Sequence, residues 1–307
     1  MVRKLLVAVG LLALGGAAAF WFLTNPEKVA ASALPPRSPN LDNGRTMFIA
    51  GGCASCHAAS KDARTMLGGG VALRSPFGTF YAPNISPHPT DGIGRWSEAD
   101  FVTAMAKGTS PDGRHYYPAF PYTSYQRMSL ADLRDLFAYL QTLRPVAGKA
   151  RGHDLAFPFN IRRGLGLWKL LNLDGEPFAP NMGQSPQWNR GAYLVNGPSH
   201  CAECHSPRDA LGGLVTAQRF AGGPNPEGQG WIPNITQKAL AKWSPKDFEF
   251  LLETGELPKG DMVGGGMREV VRNTSQLSSE DRAAMAAYLK SLPPVEGPKP
   301  PQRAPSG

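Results

Sequence analysis

Cys53-Ala54-Ser55-Cys56-His57 and Cys201-Ala202-Glu203-Cys204-His205 are two copies of one pattern, C-x-x-C-H, and together they use all four cysteines of the 307-residue chain. The pattern is the attachment signal for c-type haem. Two thiols three positions apart can each add to one vinyl group of the macrocycle, and the adjacent His then reaches the iron from the proximal side. The same thiol spacing serves a redox dithiol or half of a zinc site, but neither explains a His directly after the second Cys in both copies. The reading is two covalently bound haem c groups, held by Cys53, Cys56, Cys201 and Cys204, with His57 and His205 as proximal iron ligands. No cysteine remains for a disulfide, so haem attachment, not disulfide density, is the argument for an oxidising compartment.

Length fits two modules of about a hundred residues plus a connector. Glycine (35) and proline (29) exceed a fifth of the chain and 42% is hydrophobic, which points to loop-rich modules in which a large apolar cofactor replaces part of the side-chain core. The formal charge of +8 omits four haem propionates, and the basic residues are scattered with no aromatic-basic stripe. The charge is therefore no sign of nucleic-acid binding.

Residues 1–25 open with Arg3-Lys4 and continue as an uncharged run from Leu5 to Leu23 closed by Trp21-Phe22. That length just spans the hydrocarbon core of a bilayer. The cations hold the N-terminus in the cytoplasm and the aromatic pair suits the far interface, which puts the rest of the chain in the periplasm, on the inner membrane. Ala17-Ala18-Ala19 offers a processing site for a signal peptide instead, but the apolar run continues past it, which favours a retained anchor. Residues 26–39, with Pro26, Pro35, Pro36 and Pro39, read as an extended tether.

Residues 40–144 and 185–294 repeat one another. Asn43-Gly44-Arg45 resembles Asn189-Arg190-Gly191, Leu67-Gly68-Gly69 pairs with Leu211-Gly212-Gly213, and Pro83-Asn84-Ile85-Ser86 with Pro233-Asn234-Ile235-Thr236. Trp96-Ser97 through Asp100-Phe101 pairs with Trp243-Ser244 through Asp247-Phe248; Ser followed three residues later by Asp starts a helix, and Pro245 suits a first helical position. Ser129 and Ser278 start the last helices, which end shortly before prolines. Residues 145–184 form a connector whose His153, Phe157, Phe159 and Trp168 argue for packing along the modules. Residues 295–307 read as a disordered tail.

The resulting order, an N-terminal helix, the haem motif, a loop, a middle helix, a ligand loop and a terminal helix, resembles class I cytochrome c. The fold expected is all-α: two tandem class I cytochrome c modules after an N-terminal transmembrane helix. In such modules the sixth iron ligand lies between the middle and terminal helices, and a Met there raises the potential and closes the iron. Val263-Gly264-Gly265-Gly266-Met267 makes Met267 that ligand in the second module, with Met262 as the spare. In the first, aligning Gly108 with Gly255 and Pro111 with Pro258 puts Phe120 opposite Met267. Met128, standing where the second copy has Leu277, is the expected ligand, with His115 as the alternative that would give a bis-His haem and His88 behind it. His153 and His200 lie outside both ligand loops and read as structural.

Phe77-Gly78-Thr79-Phe80-Tyr81-Ala82-Pro83-Asn84-Ile85, Tyr117-Pro118-Ala119-Phe120-Pro121-Tyr122, the run from His200 to Arg208, and Val263-Gly264-Gly265 resemble the membrane-anchored dihaem cytochrome c subunits of periplasmic dehydrogenases. That family includes the cytochrome partners of alcohol, gluconate and sorbosone dehydrogenases and of molybdenum hydroxylases; Phe120 departs from its common Met after Pro-Ala. The resemblance implies a non-catalytic electron-transfer subunit. Its catalytic partner, of molybdenum, PQQ or flavin type, would oxidise a small alcohol, aldehyde or heteroaromatic compound, and the haems would pass electrons to quinone or a terminal oxidase. The alternative is a dihaem cytochrome c peroxidase, similar in size and in its two motifs, though the repeated ligand-loop and terminal-helix signatures match the dehydrogenase-linked family better. No nucleotide loop or nucleophile-base signature is present.

Overall fold

The computed structural model describes residues 1–228 and 230–300. It opens with helix α1 (Val2–Leu23), none of whose residues is buried. Among the described residues it is the one helix long and apolar enough to cross a membrane.

The first module comprises α2 (Leu41–Ala50), α3 (Cys53–His57), a hairpin of β1 (Ala72–Ser75) and β2 (Gly78–Tyr81), α4 (Glu98–Lys107), α5 (Tyr122–Tyr125) and α6 (Leu130–Gln141). The connector adds β3 (Asp154–Leu155), a 3-10 turn Arg162–Gly164 and α7 (Leu165–Asn172). The second module runs α8 (Pro186–Asn196), α9 (Ala202–His205), β4 (Gly223–Pro224), β5 (Trp231–Ile232), α10 (Gln237–Leu240), α11 (Pro245–Thr254), α12 (Met267–Thr274) and α13 (Ser279–Lys290). The chain is mostly helical as expected; the short antiparallel strands were not foreseen. β3 adds to β2 through Gly78↔Leu155 and Thr79↔Asp154, so the connector is stitched to the first module.

Each module is framed by its first and last helices crossing at a glycine. A Cβ on Gly44 would lie 2.1 Å from the Asp135 carbonyl oxygen of α6, and one on Gly191 would lie 1.8 Å from that of Ala284 in α13. Only a residue without a side chain permits so close an approach. The middle helices start on capping boxes, Ser97 with Asp100 and Ser244 with Asp247, and stop on left-handed glycines, Gly108 (φ 57°) and Gly255 (φ 80°). Ser129 and Ser278 cap the last helices. One apolar cluster joins Met47, Val102, Leu133 and Leu136 of the first module to Leu194, Phe248 and Met285 of the second.

Three sequence expectations are corrected. Leu67-Gly68-Gly69 has its structural counterpart in Phe220-Ala221-Gly222, not in Leu211-Gly212-Gly213. Gly69 N–H donates to the His57 carbonyl at 2.9 Å and Gly222 N–H to that of His205 at 2.8 Å, while Ile85 N–H and Ile235 N–H donate to Leu67 and Phe220, each at 3.0 Å. The segment carrying Leu211 is extra loop. The tether is extended but fastened: Arg37 pairs with Asp135 at 2.8 Å and Val29 N–H donates to Thr103 Oγ1 at 2.9 Å. Finally, residues 295–297 of the expected tail pack on the second module, where Asn234 donates to the Val295 carbonyl at 2.8 Å and Gly297 abuts Ala221. Residues 301–307 lie outside the described residues.

The foot of α1 is gripped. Thr24 is 0% exposed; Arg163 Nε donates to its hydroxyl at 2.7 Å, and Arg163 also donates to the Trp21 carbonyl at 2.6 Å and lies over the Trp21 ring.

Candidate haem sites

α3 and α9 are single turns that present their two cysteines and the His on adjoining positions. The residue before each first Cys is left-handed, Gly52 at φ 59° and His200 at φ 40°. This turn breaks the preceding helix and aims the motif. A non-glycine residue there costs about 1 kcal/mol, and His200 is braced by Tyr125, whose ring lies edge-on at 5.7 Å.

The imidazoles are held alike. His57 Nδ1–H donates to the Pro83 carbonyl at 2.8 Å, and His205 Nδ1–H donates to that of Pro233 at 2.9 Å. The donation puts the proton on Nδ1 and leaves the Nε2 lone pair for a metal, the usual outer support of a ligating His. Burial keeps both rings neutral by lowering their pKa. The thiols behave oppositely to a redox dithiol: burial pushes Cys53 and Cys201 up to about 12 and Cys56 and Cys204 to about 11. A reactive C-x-x-C pair has a depressed pKa, and among the described residues no group of three or more His, Cys, Asp or Glu is set to hold a metal ion. Two thiols three positions apart and an adjacent imidazole with its Nε2 left free are a donor set that fits haem c.

The ligand loops place the remaining candidates. Met267 is the first residue of α12 and is partly buried against the core; Met262 is 63% exposed on the loop before it. Met128, 3% exposed, lies where the modules meet, its Cγ 3.7 Å from where a Cβ of Gly197 would be. Phe120 stacks among aromatic rings, including Tyr125 at 5.6 Å. His115 commits Nε2–H to the Thr24 carbonyl at 2.9 Å, which ties it to the foot of α1. His88 accepts from Asp91 N–H at 3.1 Å within its own turn. His153 accepts from Tyr81 N–H at 3.2 Å, and His200 reaches the Gly51 carbonyl at 3.4 Å, which are structural placements.

Sequence reasoning missed how the two sites are joined. The third residue of each motif reaches into the ligand loop of the other module. Glu203 accepts from Thr123 Oγ1 at 2.7 Å and Ser124 Oγ at 2.8 Å, both on α5. Ser55 Oγ accepts from Asn273 Nδ2 of α12 at 2.9 Å, and Arg64 pairs with Glu269 at 3.0 Å. Burial would raise the Glu203 carboxyl, but Arg208 at 2.8 Å and the two hydroxyls together hold it below the usual range. His200, beside the second attachment point, reaches the Gly51 carbonyl beside the first at 3.4 Å, so the two motif segments adjoin at the junction. Ser at one position and Glu at the other gave no sign of a shared role, since each contact is completed by a residue far away in sequence.

The family model for cytochrome c matches residues 41–144 and 189–293. A "Diheme cytochrome c-type" protein of Cereibacter sphaeroides is 49% identical over 299 residues, 96% of this chain and 100% of that protein. A nicotinate dehydrogenase subunit of Pseudomonas putida is 41% identical over 82% of this chain and 21% of its own length. The "Fructose dehydrogenase cytochrome subunit" of Gluconobacter japonicus is 36% identical over 87% of this chain and 55% of its own. The chain thus spans the whole of the first relative but only about a fifth and about half of the other two.

Proposed function

This chain belongs to the cytochrome c family as a dihaem member, and from that premise we propose that it is the electron-transferring subunit of a periplasmic dehydrogenase complex. When bound, each haem c supplies a centre that takes up and gives back one electron. The protein's own contribution is position and environment. His57 and His205, oriented by Pro83 and Pro233, are the residues that would hold the irons, and the four cysteines would make the attachment permanent. Met267 and Met128 would supply the second protein ligand; the burial of Met128 and the engagement of His115 with Thr24 favour Met128 over His115. α1 is a retained anchor that keeps both modules at the periplasmic face of the inner membrane, and the grip of Arg163 on its foot supports this.

The observation that carries the reading is the reciprocal junction, in which Glu203 and Ser55 each bond to the opposite ligand loop. A relay needs its two centres at a fixed separation, and these contacts tie each attachment motif to the opposite module. The donor is a separate catalytic subunit of molybdenum, PQQ or flavin type acting on a small alcohol, aldehyde, sugar or heteroaromatic compound. Relatives named as subunits of nicotinate and fructose dehydrogenases support that class. The acceptor is quinone or a terminal oxidase. To test this, the chain is isolated from membranes in mild detergent with its catalytic partner, and haem absorption is followed after substrate is added. Reduction of both haems at the rate of substrate turnover is expected, and the reduced chain alone should leave peroxide unconsumed. Haems that stay oxidised during turnover, or that consume peroxide catalytically, would remove the reading.

A further inference from the structure

The connector is turned inside out for a segment in water. On α7, Lys169 is 8% exposed while Leu170 and Leu171 are 59% and 76% exposed. The Lys169 ammonium points inward and donates to the carbonyls of Lys107 at 2.6 Å and Gly108 at 2.7 Å. The two arginines of the preceding turn also face inward: Arg162 donates to the His115 carbonyl at 3.0 Å, and Arg163 grips Thr24 and Trp21. What faces outward is apolar apart from Asn160: Phe157 (77%), Phe159, Ile161 and Leu167 beside the two leucines of α7. A chain that folds in water does the reverse with its cations and leucines.

The place of this face says what covers it. α7 packs directly on the foot of α1 at Gly166, where a Cβ would lie 2.5 Å from that of Thr24. Trp21 and Phe22, just above Thr24, are 64% and 79% exposed, and aromatic residues at the end of a membrane span sit at the headgroup level. The apolar face of the connector is thus continuous with the end of the span and at its level. We propose that residues 157–171 lie in the interfacial region of the bilayer, with the outward face in lipid, so that the haem modules are held to the membrane by a span and a surface element together. This is the geometry of an interfacial segment: apolar face down, cations turned to the protein. With one helix alone the modules would be free to tilt about the foot of the span; with the connector seated in lipid, one side of the junction always faces the membrane.

The inference rests on retention of α1, and the experiment separates the two. Once both haems are attached the chain has no free thiol, so a single introduced cysteine carries a benzophenone photoprobe uniquely. Three full-length holoproteins are prepared in vesicles of phosphatidylethanolamine and phosphatidylglycerol: Leu171→Cys on the connector, Leu14→Cys in α1 and Glu280→Cys on the exposed start of α13. All three positions are exposed, so folding is undisturbed. After irradiation, intact mass reports phospholipid adducts. Adducts at positions 14 and 171 but not 280 are expected. Adducts at 14 with none at 171 would overturn the proposal while leaving the anchor in place. If the mass shows that α1 has been removed, the anchor reading fails and the proposal, which needs the span, fails with it.

Discussion

His57 and His205 are fixed through Nδ1 by the carbonyls of Pro83 and Pro233, and in the proposed ligation the distal side is the remaining variable at each iron. Met267→Ala is expected to convert one of two low-spin signals to high-spin in low-temperature EPR of the oxidised protein, and Met128→Ala the other. If Met128→Ala leaves both signals low-spin while His115→Ala converts one, the first haem is bis-His. His153 makes a separate prediction. Burial, with Arg162 adding to it, lowers its pKa from 6.5 to about 4, and its unprotonated Nδ1 accepts from Tyr81 N–H. Between these values the unfolded chain binds a proton that the folded chain refuses, so stability falls as the pH drops from 6.5 to 4 and is unaffected by this group above 6.5. The thermal midpoint should slope downward over that window, and His153→Gln should flatten the slope. The two C-x-x-C-H motifs were legible because their residues are contiguous. Glu203, Asn273 and Tyr125 were not, because each matters through a partner that only the fold brings near.

The first, middle and last helices of each module were readable from local chemistry, the helices of the ligand loops and the connector were not, and two kinds of substitution test how much each local device contributes. Ser97→Ala or Ser244→Ala removes a capping box and should cost about 1 kcal/mol. Gly191→Ala should cost more, at or above the upper end of the roughly 1–3 kcal/mol of an overpacked core, because the methyl would meet the backbone of Ala284 at 1.8 Å, and backbone gives way less readily than a side chain. Denaturant unfolding of the holoprotein measures both, and a Gly191→Ala loss no larger than the cap loss would mean that α8 and α13 can separate without penalty. The loops were harder to read. Leu-Gly-Gly occurs at 67–69 and again at 211–213, but the second copy lies in extra loop, and its functional counterpart at 220–222 keeps only the left-handed glycine (φ 75° at Gly69, φ 74° at Gly222). Backbone hydrogen bonding to the proximal His determines that match, and side-chain identity does not record it. The short strands escaped notice for a related reason: two to four residues are too few to show an alternating pattern.

At the scale of the whole molecule, the sequence shows two modules but not whether they act as one body. The joint is legible only in three dimensions. Glu203 is 7% exposed and bonded to Arg208 of its own module and to Thr123 and Ser124 of the other, so its hydrogen bonds are complete only while both modules are in place. Removing it leaves the Arg208 guanidinium without its carboxylate in a partly buried site, a loss of about 3 kcal/mol by the measure of broken buried pairs. The ion pair with Arg208 lies within the second module, but the two hydrogen bonds lost with it, from the hydroxyls of Thr123 and Ser124 on α5, cross the junction. Glu203→Ala should therefore do more than lower stability: the single cooperative unfolding expected of the intact chain should split into two transitions, the second haem's absorbance changing before the first's. Asn273→Ala, which breaks the reciprocal contact to Ser55 but no buried ion pair, should produce a smaller separation. A Glu203→Ala protein that loses stability yet still unfolds in one step would show that the continuous apolar core joins the modules and that the polar contacts merely sit upon it.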